Sequence, residues 1–258
     1  MKLVFPFEWG MITATRILTD NYSYAVSDNA GNSVLIDAAD ISVLGSVSTA
    51  PLIAAVLTTH HHRDHSGGNS LLMQMFPDAS FYGSMLTGSC VMKHGDEIHP
   101  LPGRTVSFVA LHTPCHTQDH ICYLLRIEGK DFAVFTGDTL FVGGCGRFFE
   151  GTPGEMHHAL SILGALPNET RVFPGHEYAI RNWEFGLYVE KTNTKIKKKL
   201  SKARLAGSPF CSLHGTIGEE KETNPFMRIK QKSVKKFAKA ENPETVLGVL
   251  RKEKNSFK

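Results

Sequence analysis

A cluster of histidines directly behind a short apolar run limits what this chain can fold into more than any other feature. The run Ile53–Leu57 has the length and the β-branched content of a buried strand. Residues 58–69 follow it and read Thr-Thr-His-His-His-Arg-Asp-His-Ser-Gly-Gly-Asn. The sequence therefore predicts a strand whose exit carries several imidazole groups and a carboxylate.

Four of these residues form the pattern H-x-H-x-D-H: His60, His62, Asp64 and His65. Imidazole nitrogens and carboxylate oxygens are the ligands that zinc and similar cations prefer. Side chains alternate along an extended segment, so His60 and His62 should lie on one side, with Asp64 and His65 following where the chain turns. His61 should face away. One segment cannot complete two coordination spheres, so a metal site here requires further ligands.

Three more candidates stand at the ends of other predicted strands: His116, Asp138 and His176. Each lies in a turn that contains glycine or proline, which exposes the side chain at the strand terminus. Asp37 ends another apolar strand and is a candidate to orient a metal-bound histidine. We expect His120, by contrast, to be structural rather than a ligand.

The first two thirds of the chain alternate between β-branched runs and helical patterns, which is typical of an α/β layered body. The apolar residues of 154–166 recur at helical spacing, and two runs separated by Glu-Gly-Lys-Asp predict a β-hairpin. The predicted strands are Tyr22–Ser27, Ser33–Ile36, Ile53–Thr58, Thr105–Val109 and the hairpin Ile121–Ile127 with Phe132–Thr136; the predicted helices are Asn69–Phe76 and Gly154–Leu166.

The charge changes sign along the chain. Residues 1–178 hold 9 basic and 17 acidic side chains, whereas residues 179–258 hold 19 and 8. In the basic part, Ala179–Arg204 and Glu244–Lys254 have the spacing of amphipathic helices, joined by a loop rich in glycine and proline. We therefore predict an α/β domain over 1–178 and a helical domain over 179–258.

Composition excludes several classes of protein. A chain of 258 residues with 41% hydrophobic side chains can bury a full core. Its longest apolar runs are far shorter than the roughly 18 residues that a membrane-spanning helix needs. No targeting segment is recognisable, so we expect a cytoplasmic protein with no membrane partner, and a monomer. Five scattered Cys without a C-x-x-C pair predict neither a disulfide framework nor a thiolate zinc site.

Taken together, these motifs resemble the metallo-β-lactamase superfamily and, over essentially the whole length, glyoxalase II, the hydroxyacylglutathione hydrolase family. The superfamily resemblance rests on residues 59–69, 113–123, 134–152 and 174–178, and the glyoxalase II resemblance rests on Asn224–Arg228 (NPFMR) and Arg251–Lys258 (RKEKNSFK). It implies an αββα sandwich followed by a small α-helical C-terminal domain. The first would be the metallo-β-lactamase-like catalytic domain over 1–178, and the second the helical substrate-binding domain over 179–258.

The resemblance also implies two divalent metal ions, with zinc expected and iron or manganese as alternatives. One ion would be bound by His60, His62 and His116, the other by Asp64, His65 and His176, with Asp138 bridging them. Two such ions can hold a hydroxide that attacks the acyl carbon of a thioester at neutral pH. Asp138 would accept its proton, and Asp64 is the second catalytic carboxylate.

The implied substrate is S-D-lactoylglutathione, cleaved to D-lactate and glutathione in the second step of methylglyoxal detoxification. Glutathione carries two carboxylates, so its site needs fixed cations. The matching positions are Arg147, Phe149, Tyr178, Arg251 and Lys254. Arg147 and Phe149 stand where animal enzymes often have lysine and tyrosine, and Phe149 lacks the hydroxyl that would donate a hydrogen bond.

Three other functions compete with this interpretation. The basic tail invites a nuclease of the same fold, because phosphate contacts dominate affinity for nucleic acids. The tail lacks the interleaving of aromatic and glycine residues that a base-stacking surface has, however, so we expect no nucleic-acid partner. A persulfide dioxygenase with one iron would not need the complete set of seven ligands. A non-enzymatic thiol- or metal-binding module is the third alternative.

Overall fold

The computed structural model describes residues 1–46, 52–103 and 105–257, so Lys258, the last residue of the second tail motif, lies outside the described residues. The chain forms two compact units. The first unit comprises Met1–His112 and Asp119–Gly137, and the second comprises Thr113–Gln118 and Asp138–Lys258. These units are defined by packing, and the predicted domain boundary after Tyr178 stays a prediction.

A seven-stranded sheet forms one layer of the first unit, with its strands side by side in chain order. The first four strands are antiparallel, and each later strand runs parallel to its predecessor. The strands are β1 (Lys2–Phe7), β2 (Gly10–Ile17), β3 (Asn21–Asp28), β4 (Ser33–Ile36), β5 (Ile53–Leu57), β6 (Ser80–Gly83) and β7 (Cys90–Val91).

A second, antiparallel sheet of the first unit contains β8 (Glu97–Ile98), β9 (Val106–His112), β10 (Ile121–Ile127) and β11 (Lys130–Gly137). The predicted hairpin is confirmed, with Tyr123 opposite Phe135. The two sheets face each other: the rings of Tyr24 and Phe135 lie 5.1 Å apart, and the hydroxyl of Tyr123 donates to the carbonyl oxygen of Thr58 at 2.9 Å.

The other face of the seven-stranded sheet is covered by the helix α2 (Asn69–Met75), which follows the short α1 (Arg63–Ser66). Leu72 of this helix packs with Leu35, Val56 and Phe81 of the sheet. Strands β4 and β5 are buried on both faces, which explains their almost continuous apolar sequences. The histidine-rich segment thus leaves a strand that lies between two packed layers.

The second unit is mostly helical. A short hairpin of β12 (Leu140–Phe141) and β13 (Gly144–Cys145) precedes α3 (Pro153–Gly164), whose capping box pairs Thr152 with Glu155. The remaining elements are β14 (Arg171–Pro174), β15 (Gly215–Thr216), α4 (Ala179–Val189), α5 (Thr194–Ala206), α6 (Ile217–Thr223), α7 (Lys232–Ala238) and α8 (Pro243–Ser256), with β14 antiparallel to β15.

The structure confirms the α/β class and corrects two predictions. The single helix predicted over Ala179–Arg204 is two helices, because the side chain of Asn193 caps α5 by accepting from the backbone N–H groups of Lys195 and Ile196. The predicted tail loop contains the short helices α6 and α7. Strands β1 and β2 were not predicted. None of the described helices is long and apolar enough to cross a membrane, and the five Cys form no disulfide.

Candidate functional site

The four residues of the H-x-H-x-D-H pattern lie together in the first unit, where β5 passes into α1. Nε2 of His60 lies 3.0 Å from Nδ1 of His62, and the rings of His60 and His65 are centred 4.1 Å apart. Nε2 of His65 lies 3.7 Å from a carboxylate oxygen of Asp64. The structure thus brings these four side chains of one segment together, and their role as metal ligands stays a prediction. We call these four residues the first cluster.

Asp37 orients two histidines of the first cluster. Its Oδ2 accepts from Nδ1 of His65 at 2.8 Å and from the hydroxyl of Thr59 at 2.8 Å, and its Oδ1 accepts from the backbone N–H of Thr59. Since the Thr59 hydroxyl donates to Asp37, its oxygen is available to accept from Nδ1 of His60 at 3.0 Å. In both histidines Nδ1 thus carries the proton, which leaves the Nε2 lone pair as the ligand atom.

Asp64 and the two histidines next to the first cluster, His61 and His120, also make defined hydrogen bonds or ring contacts. The amide of Asn21 donates to Oδ2 of Asp64 at 2.9 Å, which orients that carboxylate. His61 is turned toward Asp119, with Nδ1 2.8 Å from Oδ1. The buried ring of His120 stacks on His60 with centroids 5.0 Å apart. His61 thus faces Asp119, while the structural role of His120 stays a prediction.

His116, Asp138 and His176 lie together in the second unit, and we call them the second cluster. Oδ2 of Asp138 lies 3.4 Å from Nε2 of His116, and Oδ1 lies 3.4 Å from Nε2 of His176. The three residues come from three separate stretches of chain, and all three are buried. One carboxylate thus has an imidazole nitrogen facing each of its oxygens.

The histidine rings of the second cluster are held from behind. Nδ1 of His116 donates to the backbone carbonyl oxygen of Arg147 at 3.0 Å, which again leaves Nε2 as the ligand atom. The ring of Tyr178 stacks on His176 at 4.8 Å between centroids and 7° between planes. Phe141 meets both rings edge-on, at 5.9 Å from His176 and 5.1 Å from Tyr178.

Both clusters have the donor chemistry of a divalent metal site. Imidazole Nε2 atoms and carboxylate oxygens converge on one another, and the opposite nitrogens of His60, His65 and His116 are occupied by hydrogen-bond acceptors. This arrangement of imidazole ligands, with the far nitrogen fixed by a carboxylate, hydroxyl or carbonyl, is typical of zinc and iron sites. The residues therefore fit the metal ions that the sequence predicts.

A cavity of about 390 Å³ opens in the second unit beside the second cluster. All five residues predicted to contact substrate line it, as do His116 and Asp138; the five are Arg147, Phe149, Tyr178, Arg251 and Lys254. Phe149 is 60% exposed, and its ring meets His116 edge-on at 5.2 Å. The five residues that the family resemblance assigns to the substrate thus lie around one cavity, and the role of each stays a prediction.

The two C-terminal cations of the cavity differ from simple surface charges. Arg251 is only 8% exposed, and its guanidinium donates to the carbonyl oxygen of Cys145 at 2.9 Å and to Oδ1 of Asn255 at 2.9 Å. Lys254 donates to the carbonyl oxygen of Arg181 at 2.9 Å. Burial, together with the neighbouring cations of Arg251 and Arg181, lowers the pKa of Lys254 to about 8. Arg251 thus holds the backbone at Cys145 and also lines the cavity.

The cysteines closest in sequence to the second cluster are not activated. Burial raises the pKa of both Cys115 and Cys145 to about 12, so each thiol stays protonated at neutral pH. The Cys115 thiol donates to the carbonyl oxygen of Thr152 at 3.3 Å. Neither group has the character of a cysteine nucleophile.

Sequence reasoning assigned no role to several side chains that support the second cluster. Asn182, Glu220 and Asn224 reach the backbone of the glycine-rich segment between Asp138 and Arg147. Asn224 is the first residue of the NPFMR motif, so the sequence analysis singled out its position but assigned it no role. Nothing in the sequence indicated a role for Glu220, because an acidic side chain on a short charged helix is ordinarily exposed.

Comparison with known proteins adds independent information. Residues 52–176 match the model of the metallo-beta-lactamase superfamily, and residues 177–257 match that of the hydroxyacylglutathione hydrolase C-terminus. The cytoplasmic hydroxyacylglutathione hydrolase of Arabidopsis thaliana is 41% identical over 251 residues, covering 93% of this chain and 96% of the plant protein. A hydroxyacylglutathione hydrolase-like protein of Gallus gallus is 39% identical, covering 96% and 90%.

Solved structures agree with these sequence matches. The crystal structure of ETHE1 from Myxococcus xanthus superimposes with a TM-score of 0.62 at 25% identity, covering 97% of this chain and 89% of that one. A metallo-beta-lactamase from Staphylococcus aureus has a TM-score of 0.59 at 19% identity, covering 98% and 71%, and shares the fold. The chain therefore belongs to the hydroxyacylglutathione hydrolase family within the metallo-beta-lactamase superfamily and is a metal-dependent hydrolase.

Proposed function

We propose that this protein hydrolyses S-2-hydroxyacylglutathione, with S-D-lactoylglutathione as the substrate and D-lactate and glutathione as the products. One observation carries the proposal: the cavity of the second unit places the cations of Arg147, Arg251 and Lys254 beside His116 and Asp138. A site that combines metal-ligating groups with fixed cations suits a small anionic thioester. The names of the plant and bird relatives support the same substrate.

The proposal assigns two divalent metal ions to the seven ligands that the family resemblance implies. His60, His62 and His116 would hold one ion, Asp64, His65 and His176 would hold the other, and Asp138 would be shared. When bound, such ions supply a water molecule whose pKa falls from 15.7 to about 7, and they polarise a carbonyl group. Zinc is the expected metal, with iron and manganese as alternatives for the same ligands.

The carboxylates of the chain have the proton-transfer role in this scheme. An oxygen of Asp138 would accept the proton of the attacking water, since this carboxylate lies centrally in the second cluster. Asp64 would keep its carboxylate in one orientation through the amide of Asn21. The departing glutathione thiolate is a fair leaving group and requires little proton transfer. Because both nearby thiols stay protonated, a direct attack by water replaces a cysteine nucleophile.

The cavity cations would bind the two carboxylates of glutathione. Arg147 is exposed and can adjust to its ligand, whereas Arg251 and Lys254 are held by backbone carbonyl oxygens. Phe149 offers a ring face in place of a hydroxyl group. Tyr178 is fixed by its stack on His176 and would present its hydroxyl group to the peptide. We further propose that the protein acts in the cytoplasm, as the name of the plant relative suggests, in the removal of methylglyoxal.

The proposal is tested by hydrolysis of S-D-lactoylglutathione with protein that has been stripped of metal and reloaded with zinc. We expect turnover by the reloaded protein and loss of activity after chelation, with about two metal ions per chain by elemental analysis. The polyamine conjugate of the same thioester, assayed in parallel, identifies the thiol carrier. A lactoyl thioester of a small thiol without carboxylates is the control, and it should have a much higher KM.

Absence of turnover with both glutathione substrates would contradict the proposal. One iron per chain together with oxygen-dependent consumption of glutathione persulfide would favour the dioxygenase. Salt-dependent binding of RNA, followed by its cleavage, would favour the nuclease.

A further inference from the structure

The glycine-rich segment Val142–Gly146, which we call the glycine loop, leads from β12 to Arg147 and includes β13. It has almost no free space around it. Gly143 has a φ of +75°, and a Cβ atom there would lie 2.9 Å from the ring of Trp183. A Cβ atom at Gly146 would lie 1.9 Å from the carbonyl oxygen of Asp138 and 2.9 Å from Nδ1 of His116. The loop therefore packs directly against the second cluster, and a shift of its backbone would displace His116.

Side chains from four positions in the helical tail hold the backbone of this loop. The Asn182 amide donates to the carbonyl oxygen of Val142 at 3.0 Å, and Arg251 donates to that of Cys145 at 2.9 Å. The other two positions are Glu220 of α6 and Asn224, which follows α6 directly. The carbonyl or N–H groups of four successive loop residues, 142–145, are thus occupied by polar side chains.

Glu220 and Asn224 act together. Oε2 of Glu220 accepts from the backbone N–H of Gly143 at 2.8 Å and from the amide of Asn224 at 2.9 Å. The same amide donates to the carbonyl oxygen of Gly144 at 2.9 Å. Both residues are 0% exposed. A completely buried carboxyl group is costly unless hydrogen-bonded, so its position here indicates a specific task.

We propose that Glu220 and Asn224 are positioning residues that fix the glycine loop and, through it, the orientation of the His116 ring. The loop ends at Arg147, whose carbonyl oxygen accepts from Nδ1 of His116 at 3.0 Å and thereby turns Nε2 toward Asp138. The inference rests on the proposed function only in treating His116 as a metal ligand. It gives the NPFMR motif a physical role, because the first residue of that motif is Asn224.

The role of Glu220 depends on the reach of its side chain rather than on its charge. Burial raises the pKa of this carboxyl group to about 7, so the charged and neutral forms coexist near neutral pH. Oε2 can accept both hydrogen bonds in either form when the proton resides on Oε1. Glutamine offers the same acceptor oxygen at the same distance, whereas aspartate keeps the charge but is shorter by one methylene group.

The experiment compares Co²⁺ binding to the full-length variants Glu220→Gln, Glu220→Asp and Asn224→Ala with the original chain. Affinity is measured by competition with a chelator, and ligand geometry by the visible absorption spectrum of the bound Co²⁺. We expect Glu220→Asp and Asn224→Ala to weaken binding about tenfold, the size of effect seen when a partner of a metal-bound histidine is lost. Their spectra should change, while Glu220→Gln should behave like the original chain.

Glu222→Ala is the matched control, because Glu222 lies on the same helix and its side chain pairs with the exposed Lys195, away from the glycine loop. It should leave Co²⁺ binding unchanged. Melting temperature and circular dichroism show that each variant is folded. If Asn224→Ala does not fold, the comparison of Glu220→Asp with Glu220→Gln decides the question.

Unchanged Co²⁺ affinity and spectrum in folded Glu220→Asp and Asn224→Ala would overturn the inference. An effect of Glu220→Gln as large as that of Glu220→Asp would overturn it too, since charge would then matter more than reach. The metal readout needs no substrate. If the protein hydrolysed no glutathione thioester, the proposed function would be wrong, but the Co²⁺ measurements would still test the positioning role.

Discussion

The two clusters use the same donor chemistry but are built in different ways. The first cluster comes from one stretch of six residues behind a central strand, and a buried carboxylate, Asp37, holds two of its rings. The second cluster collects three residues that are distant in sequence. In this cluster a backbone carbonyl oxygen, rather than a carboxylate, holds the ring of His116.

This difference shows where each cluster is vulnerable. The support of the first cluster is a side-chain charge inside the sheet layers, so it should respond to changes in charge. The support of the second cluster is the path of the glycine loop, which side chains of the tail helices hold in place. It should respond to changes in the shape and reach of those side chains.

Removal of Asp138 should have the largest effect. In Asp138→Ala the second cluster loses the carboxylate that both histidines face at 3.4 Å, and with it the proposed proton acceptor. We expect kcat for thioester hydrolysis to fall by about 10²- to 10⁴-fold, with fewer metal ions bound. Asp131→Ala, which removes a partner of Arg126 in the other unit, is the control and should retain activity. Activity within tenfold of the original chain would exclude a central role for Asp138.

A change of charge at Asp37 should have the next largest effect. Asp37 has a φ of +50°, a conformation that asparagine tolerates, so Asp37→Asn keeps the backbone while removing the charge. Its amide NH₂ cannot accept from His65 or Thr59. We expect metal affinity to fall by about 10- to 100-fold, measured by chelator competition. Asp40→Asn, on the exposed turn nearby, should have no effect, and equal affinities in the two variants would refute the role of Asp37.

The sequence made the first cluster predictable because its information is local. A strand, an alternation of side chains and a turn suffice to bring His60, His62, Asp64 and His65 to one place. Even Asp37 could be identified, since it ends the neighbouring parallel strand, and parallel strands bring their carboxyl ends to one edge of a sheet.

The residues of the second cluster were candidates because they follow predicted strands, but only the family resemblance implied which ligands belong together. Nothing near His116 or His176 indicates which residues they meet, and the support from Glu220 crosses 77 positions of sequence. The helix that carries Glu220 was missed because it is short and flanked by glycine and proline, which locally favour a loop. Burial by neighbouring elements, rather than local propensity, determines that helix and the position of its carboxyl group.

A smaller effect is expected from the titration of Lys254. Its pKa of about 8 means that the cation is present at pH 7 and is lost as the pH rises above 8. Binding of a glutathione carboxylate should weaken accordingly, with KM rising roughly fivefold between pH 7 and pH 9, equivalent to about 1 kcal/mol. The charged groups that face Lys254 act in both directions: Arg251 and Arg181 lower its pKa, whereas Glu184 and Cys145 raise it.

Lys254→Ala tests that assignment. Its KM should already be high at pH 7 and should vary little with pH, while its metal content stays normal, because the proposed role of Lys254 lies in the cavity and not in a cluster. Lys252→Ala, at an exposed position on the same helix, should keep the original pH profile. A KM that rises above pH 8 in Lys254→Ala as steeply as in the original chain would assign the titration to another group.

The smallest effect is expected from loss of the helix cap at Thr152. This change tests whether the second cluster depends on specific contacts or on the general stability of the second unit. Thr152 caps α3 by accepting from the N–H of Glu155 at 3.2 Å, and Thr152→Ala removes this bond. The change should cost about 1 kcal/mol of unfolding free energy, a shift of about 2–4 °C in melting temperature. Thr152→Ser retains the hydroxyl and should melt like the original chain. Co²⁺ affinity should not change in either variant, because no bond to the glycine loop is lost. If Thr152→Ala weakened Co²⁺ binding as much as Asn224→Ala does, the second cluster would depend on overall stability, and its contrast with the first cluster would disappear.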